Sequence, residues 1–235
     1  MNDSIVKITA APHVRSAEST ARIMWSVVLS LVPVVGASIF FFGPSAVLVL
    51  GASIAGCLLT ERLFGERRNS LADGSAMITG LLLGLCLPAG FPLWMAFLGG
   101  VFSIAFGKLI FGGLGQNVFN PALLGRAFLQ AAFPVAITTW PVRVGDWWTL
   151  AGDNFALPLM SPSTVDAVTG ATPLGNLKFG DDPVATPLLE LLLGSTGGSL
   201  GETSALLRNS PHVLSVNAAA TVRMGTTVER IINFR

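Results

Sequence analysis

Charge is what this sequence has least of. Only 11% of its 235 residues are Asp, Glu, Lys or Arg, while 51% are hydrophobic and the mean hydropathy is +0.68. Soluble domains carry about a quarter charged residues, so too few are present to cover a surface facing water. Lipid is the solvent that suits the remainder. A formal net charge of +1 without any basic stripe excludes the footprint of a nucleic-acid binder. Cysteine is equally scarce. Cys57 and Cys86 both lie in apolar runs, at a spacing that fits no zinc motif, and a disulfide between two membrane segments is not expected. They read as packing residues or as contacts to a cofactor. No secretory signal is expected either, because residues 1–22 are polar, with Lys7, Arg15 and Arg22, and the first apolar run is too long.

What is present is a series of apolar stretches. Met24–Phe42 is long enough to cross a ~30 Å hydrocarbon core at about 1.5 Å per residue. Ser45–Thr60 is shorter but runs on into Glu61 and Arg62, which can snorkel to the headgroups. Ser75–Ala89 and Leu93–Gly107 flank the breaker Pro88-Ala89-Gly90-Phe91-Pro92 and predict either two tilted helices or one re-entrant hairpin. Val118–Thr138 is the fifth stretch.

Positive charge gives the orientation. The N-terminal arm and the loop with Arg62, Arg67 and Arg68 are expected in the cytoplasm, and Lys108 on the same side. The fifth stretch then delivers the chain to the outer face near Trp140. Residues 140–183 hold Arg143 and Lys178 against Asp146, Asp153, Asp166, Asp181 and Asp182, a balance that suits the outside. A cysteine introduced at Asn154 in this loop should therefore react with an impermeant thiol reagent, and one at Asn69 should not. The expected organisation is a cytoplasmic arm (1–23), a membrane domain (24–138), an outer loop (139–184), a further apolar segment (185–207) and a polar tail (208–235). Carboxylates are nearly absent from the membrane segments. Glu61, Asp73, Glu190 and Glu202 all lie near segment ends, so the sequence names no coupling ion.

Within the fifth stretch, Asn120-Pro121 reads as a helix start, with Asn120 capping free backbone donors and proline in the first turn. Arg126 follows nearly two turns later. It either snorkels back to the headgroups or partners an anionic cofactor group or a carboxylate. The glycines at 112, 113 and 115, and at 197, 198 and 201, suggest broken helices, close backbone approach or plain helix ends.

The outer loop holds the motif that carries chemistry: Asp166-Ala167-Val168-Thr169-Gly170-Ala171-Thr172. An Asp followed by Thr-Gly-Ala-Thr is the pattern read by flavin transferases, which move FMN from FAD onto a threonine hydroxyl as a phosphoester. The acceptor must be an exposed hydroxyl able to attack phosphorus. Gly170 and Ala171 leave the modifying enzyme room beside it, and Pro173 opposes helix continuation. Chance would produce this pattern on the order of once in a thousand chains of this size.

These residues, together with Ala11-Pro12-His13, Asp73-Gly74-Ser75-Ala76-Met77-Ile78-Thr79-Gly80, Asn117-Val118-Phe119-Asn120-Pro121-Ala122 and Gly201-Glu202-Thr203-Ser204, occur in an order that resembles a known family. It is the D-subunit family of the Rnf ion-translocating electron-transport complexes, related to the B subunit of the sodium-translocating NADH:quinone oxidoreductase. The short N-terminal arm favours the former. The resemblance implies an all-α integral protein of the bacterial inner membrane, multi-pass, with its N-terminus cytoplasmic. It implies covalent FMN on Thr172, with Asp166, Thr169, Gly170 and Ala171 completing the recognised motif. It also implies a non-covalent riboflavin near Asn117, Asn120 and Arg126. The partners implied are the other subunits of the complex, a flavin transferase and Na+ or H+. The enzyme would be the whole ferredoxin:NAD oxidoreductase, with this chain as one of its subunits.

In that family Gly-Glu-Thr-Ser opens a second membrane half, an inverted repeat of the first. Here Leu206-Leu207 is followed by Arg208-Asn209-Ser210-Pro211-His212, and the last 28 residues are polar and non-periodic. The expected fold is thus the first half of an inverted-repeat helical bundle, with re-entrant or broken helices and an irregular outer loop. Truncation, an out-of-frame ending or divergence would each produce such a tail. Two other functions fit parts of the sequence: a channel or transporter for small solutes, and a scaffold subunit without a redox role. Neither has a use for the motif at Thr172.

Overall fold

The computed structural model describes residues 19–65, 70–140, 148, 150, 154–158 and 198–201. The described residues are helical, without a strand beyond a single antiparallel bridge between Pro88 and Ser199. Helix α1 (Thr20–Phe42) starts at Ser19, whose Oγ accepts from the Arg22 N–H at 3.3 Å. The cap lets the helix begin four residues before the apolar run, in a polar turn. Gly43 ends α1 at φ 68°, a left-handed conformation that favours glycine, and Pro44 opens α2 (Pro44–Phe64). At 23 and 21 residues, these two helices are long and apolar enough to cross a membrane. Leu29, Val32 and Phe40 are exposed along α1, as lipid-facing residues would be.

A 3-10 turn at Ser70–Asp73 leads into α3 (Ser75–Leu85), which runs back along α2. The chain then leaves helical geometry and re-enters it as α4 (Leu93–Ile104), which returns parallel to α2. The breaker predicted at 88–92 is thus the tip of an antiparallel hairpin. At 11 residues α3 is only about 16 Å long, roughly half the thickness of a hydrocarbon core. Alpha geometry in α4 passes into a π turn at Ala105–Leu109, with the Ile110 N–H bonded to Ala105 O at 3.1 Å.

Glycine sets how closely these helices pack. A Cβ on Gly56 would lie 2.3 Å from the Phe97 carbonyl oxygen, and one on Gly100 2.5 Å from that of Ser53. Backbone-to-backbone contact of this kind is how membrane helices gain dispersion energy where lipid offers no hydrophobic drive. Cys57 belongs to the same crossing, its thiol 3.5 Å from Gly100 O. It packs as the sequence suggested.

The fifth apolar stretch is not one helix. Its N-terminal residues through Asn120 are non-helical, α5 spans Pro121–Ala132, and a short α6 spans Pro134–Thr138. Phe133 sits between them at φ −134°, ψ 58°. A residue before proline is pushed out of the α region, so Pro134 breaks the run. Helix α5 packs antiparallel to α4. Pro121 lies against Gly107, Leu129 against Gly99, and the Phe133 ring meets Trp94 edge-on at 5.4 Å.

Candidate functional site

The bundle has two distinct ends. At one end lie the start of α1, the end of α2, the start of α3, the π turn after α4 and the start of α5. A charged cluster is buried there. Lys108, only 4% exposed, forms an ion pair with Glu61 and donates to the Ser75 hydroxyl. Its ammonium also lies 3.9 Å from Asp73 Oδ2. Ser75 completes the cluster by donating from both its hydroxyl (2.7 Å) and its backbone N–H (2.9 Å) to Asp73 Oδ1. Asp73 therefore satisfies a free donor at the start of α3 and offers its other oxygen to the lysine. The wide π turn carries Lys108 on its buried side, while Phe106 and Ile110 are exposed. Such turns concentrate at functional sites.

This cluster corrects one expectation. Glu61 does not snorkel to solvent. Its side chain is fully buried against Lys108, while its neighbour Arg62 is exposed. The signal that could have found the cluster is physical: opposite charges in separate apolar segments are costly in lipid unless they meet. Gly74, at φ 75°, packs under the Trp25 indole, and Trp25 Nε1 donates to Ala72 O at 3.3 Å, bringing α1 to the same end.

At the opposite end is the α3–α4 tip. Phe91, Leu87 and Ala89 are fully buried. Two short pieces from much later in the chain dock on them: Asn154, and Ser199–Gly201. Asn154 is 2% exposed, so it is not open to a reagent as the loop position suggested. The end of α5 and Phe133 lie at this end too, so the chain leaves the bundle opposite the charged cluster.

The three residues assigned to a riboflavin neighbourhood have separate surroundings. Asn120 is exposed and caps α5, its Oδ1 accepting from the Ala122 N–H at 3.0 Å, as its place before proline predicted. Asn117 is half-buried, and its Oδ1 is shielded from solvent without a hydrogen-bond partner among the described residues. Arg126 is half-buried on α5 and makes no ion pair with a described carboxylate. Asp166, Thr169, Gly170, Ala171 and Thr172 lie outside the described residues, as do the end expected for the outer loop at 184, the limits 185 and 207 of the apolar segment, and the tail.

Comparison with known proteins gives the chain's family and relatives. The profile of the NQR2, RnfD, RnfE family matches residues 7–211. The D subunit of the proton-translocating ferredoxin:NAD(+) oxidoreductase complex of Clostridium ljungdahlii is 41% identical over 218 residues, covering 87% of this chain and 60% of the relative. The D subunit of the Na(+)-translocating ferredoxin:NAD(+) oxidoreductase complex of Acetobacterium woodii is 36% identical, covering 88% and 60%. The D subunit of the ion-translocating oxidoreductase complex of Stutzerimonas stutzeri is 38% identical, covering 80% and 58%. The chain thus spans about three-fifths of the length of these relatives.

Proposed function

Since the chain belongs to the NQR2, RnfD, RnfE family, we propose that it is a membrane subunit of a redox-driven ion-translocating complex and carries covalent FMN on Thr172. The complex passes electrons between ferredoxin and NAD partners and couples their flow to Na+ or H+ movement. The observation that carries this reading is the Asp166-to-Thr172 motif in a chain whose bundle has two opposed ends. Arg22, Arg62 and Lys108 gather at one end, which suits the cytoplasmic side. Asn154 and Ser199–Gly201, which flank Thr172 in sequence, dock at the other, which supports an outer position for the flavin. On this placement the α3–α4 hairpin enters the bacterial inner membrane from the cytoplasmic side and points its tip toward the outer face. Its short α3 favours a re-entrant geometry, buried in protein as non-helical backbone in a membrane must be.

The residues fit the group. Thr172 supplies the hydroxyl that becomes the phosphoester oxygen when a transferase moves FMN from FAD and releases AMP. Asp166, Thr169, Gly170 and Ala171 form the sequence that the transferase reads. The flavin supplies one-electron redox chemistry once attached, and the protein positions it. A non-covalent riboflavin belongs to the same proposal, with Asn117 and Arg126 as its candidate neighbours. Asn117 Oδ1 is a shielded acceptor without a described partner, and Arg126 is a half-buried cation without a described carboxylate. Asn120, already engaged as a helix cap, would border that site rather than bind strongly.

In-gel fluorescence under ultraviolet light tests the reading, on protein co-expressed with the transferase and then denatured. A fluorescent band is expected in the native chain and in Thr169→Ser, a weaker one in Thr172→Ser, and none in Thr172→Ala. A channel or scaffold subunit would be dark throughout.

A further inference from the structure

Helix α5 has one face against α4 and one face uncovered. Ala122, Gly125 and Leu129 are buried, the last two against Ser103 and Gly99 of α4. Leu123, Ala127, Gln130 and Ala131 are exposed, at the spacing i, i+4, i+7 and i+8 that shares one side of a helix. Leucine and alanine can meet lipid there. Gln130 cannot do so cheaply, because its amide makes no side-chain hydrogen bond among the described residues.

Helix α2 gives the depth. Its 21 residues make about 31 Å, one hydrocarbon thickness, and Ile54 is its midpoint. A Cβ on Gly100 would lie 2.5 Å from the carbonyl oxygen of Ser53, next to that midpoint, and a Cβ on Gly99 would lie 2.5 Å from Leu129 Cδ1. Ser53, Gly99, Gly100 and Leu129 thus stand at one level, and Gln130 stands beside Leu129 on the outward side. It presents its amide half-way through the membrane.

An amide in hydrocarbon finds no water, and leaving its donors and acceptor without partners is costly. Headgroups are about 15 Å away at this depth, beyond the reach of a glutamine side chain. Acyl chains offer neither donor nor acceptor. Ala127 and Ala131 lie on the same face, four residues apart. Small residues so spaced let a second helix approach closely, and a polar side chain beside them then holds it by a hydrogen bond. We infer that this face of α5 is the docking surface for a transmembrane helix of another subunit, one that carries a hydrogen-bonding side chain at mid-membrane. This rests on the membrane-subunit role proposed above. The uncovered face of α1, with Leu29, Val32 and Phe40, is apolar at the corresponding depth and suits lipid.

The test uses the full chain in its native membrane. The photo-crosslinking residue p-benzoylphenylalanine replaces Gln130 in one variant and Val32 in another, and crosslinked peptides are identified by mass spectrometry. The Gln130 variant should capture a membrane-spanning peptide of another subunit that bears a polar side chain, and the Val32 variant should not. In parallel, Gln130→Leu removes the amide at similar size, while Gln130→Asn keeps it. The partner subunit retained per chain in detergent should fall about three- to thirtyfold with leucine and recover in part with asparagine. Helicity by circular dichroism should match that of the native chain in both. Full retention of the partner by a folded Gln130→Leu variant would overturn the inference. So would capture from Gln130 of lipid alone, of a later segment of this chain or of a second copy of it, or equal capture of the partner peptide from Val32. A native chain that purifies with no other subunit would sink the proposed role as well, so the two failures are told apart.

Discussion

The two ends of the α3–α4 hairpin face the same difficulty and meet it with different groups. Each must keep polar atoms satisfied inside a bundle that lipid would surround. At the charged end, side chains do this. Glu61, Asp73, Ser75 and Lys108 come from separate elements and pair with one another. At the tip, the main chain does it, with backbone carbonyls and N–H groups bonded to Asn154 and to Leu200–Gly201. The first arrangement depends on residue identity. The second depends chiefly on where the backbone runs, and Asn154 is the place where the two principles overlap.

Substitution at the charged end should therefore have the largest effect. Lys108→Met leaves the buried Glu61 without its cation, a loss of about 3–5 kcal/mol when one partner of a buried pair is removed. Thermal unfolding in detergent, followed by circular dichroism, should show a much lower midpoint. The double change Lys108→Met with Glu61→Met should recover most of it, because a buried pair replaced by apolar residues is often nearly neutral. If Lys108→Met unfolds like the native chain, the cluster does not hold this end together.

The smallest effect should come from Ser199→Ala at the tip. Ser199 pairs with Pro88 through the backbone, and its buried hydroxyl has no hydrogen-bond partner among the described residues. Deleting a buried hydroxyl without a partner should leave stability within about 0.5 kcal/mol or raise it slightly. The same unfolding measurement checks this. A loss comparable to that of Lys108→Met would erase the contrast between the ends.

The contrast also explains what the sequence disclosed. Helices α1 and α2 were legible because long apolar runs have few alternatives, and Asn120 was legible as a cap because the residue and its proline act locally. The break at Phe133 was written in Pro134 but was masked by the apolar residues on either side. The charged cluster was not legible, because residues 61, 73 and 108 meet only after the hairpin has folded back along α2. Asn154 looked like an ordinary loop residue for a similar reason. Its partners, Ala89 and Leu93, are backbone groups, and a backbone group leaves no trace in residue type. The motif proposed at Thr172 is the reverse case: it is short and local, and a transferase would read it from residue types alone.

Mass spectrometry of the peptide spanning Thr172 tests the central claim most directly. The protein is co-expressed with the flavin transferase and digested, and the peptide is fragmented to locate any added mass. The expected adduct is one FMN less one water, carried on Thr172 and absent from Thr169. An unmodified Thr172 in folded protein, with the transferase shown to be active on another acceptor in the same cells, would contradict the account.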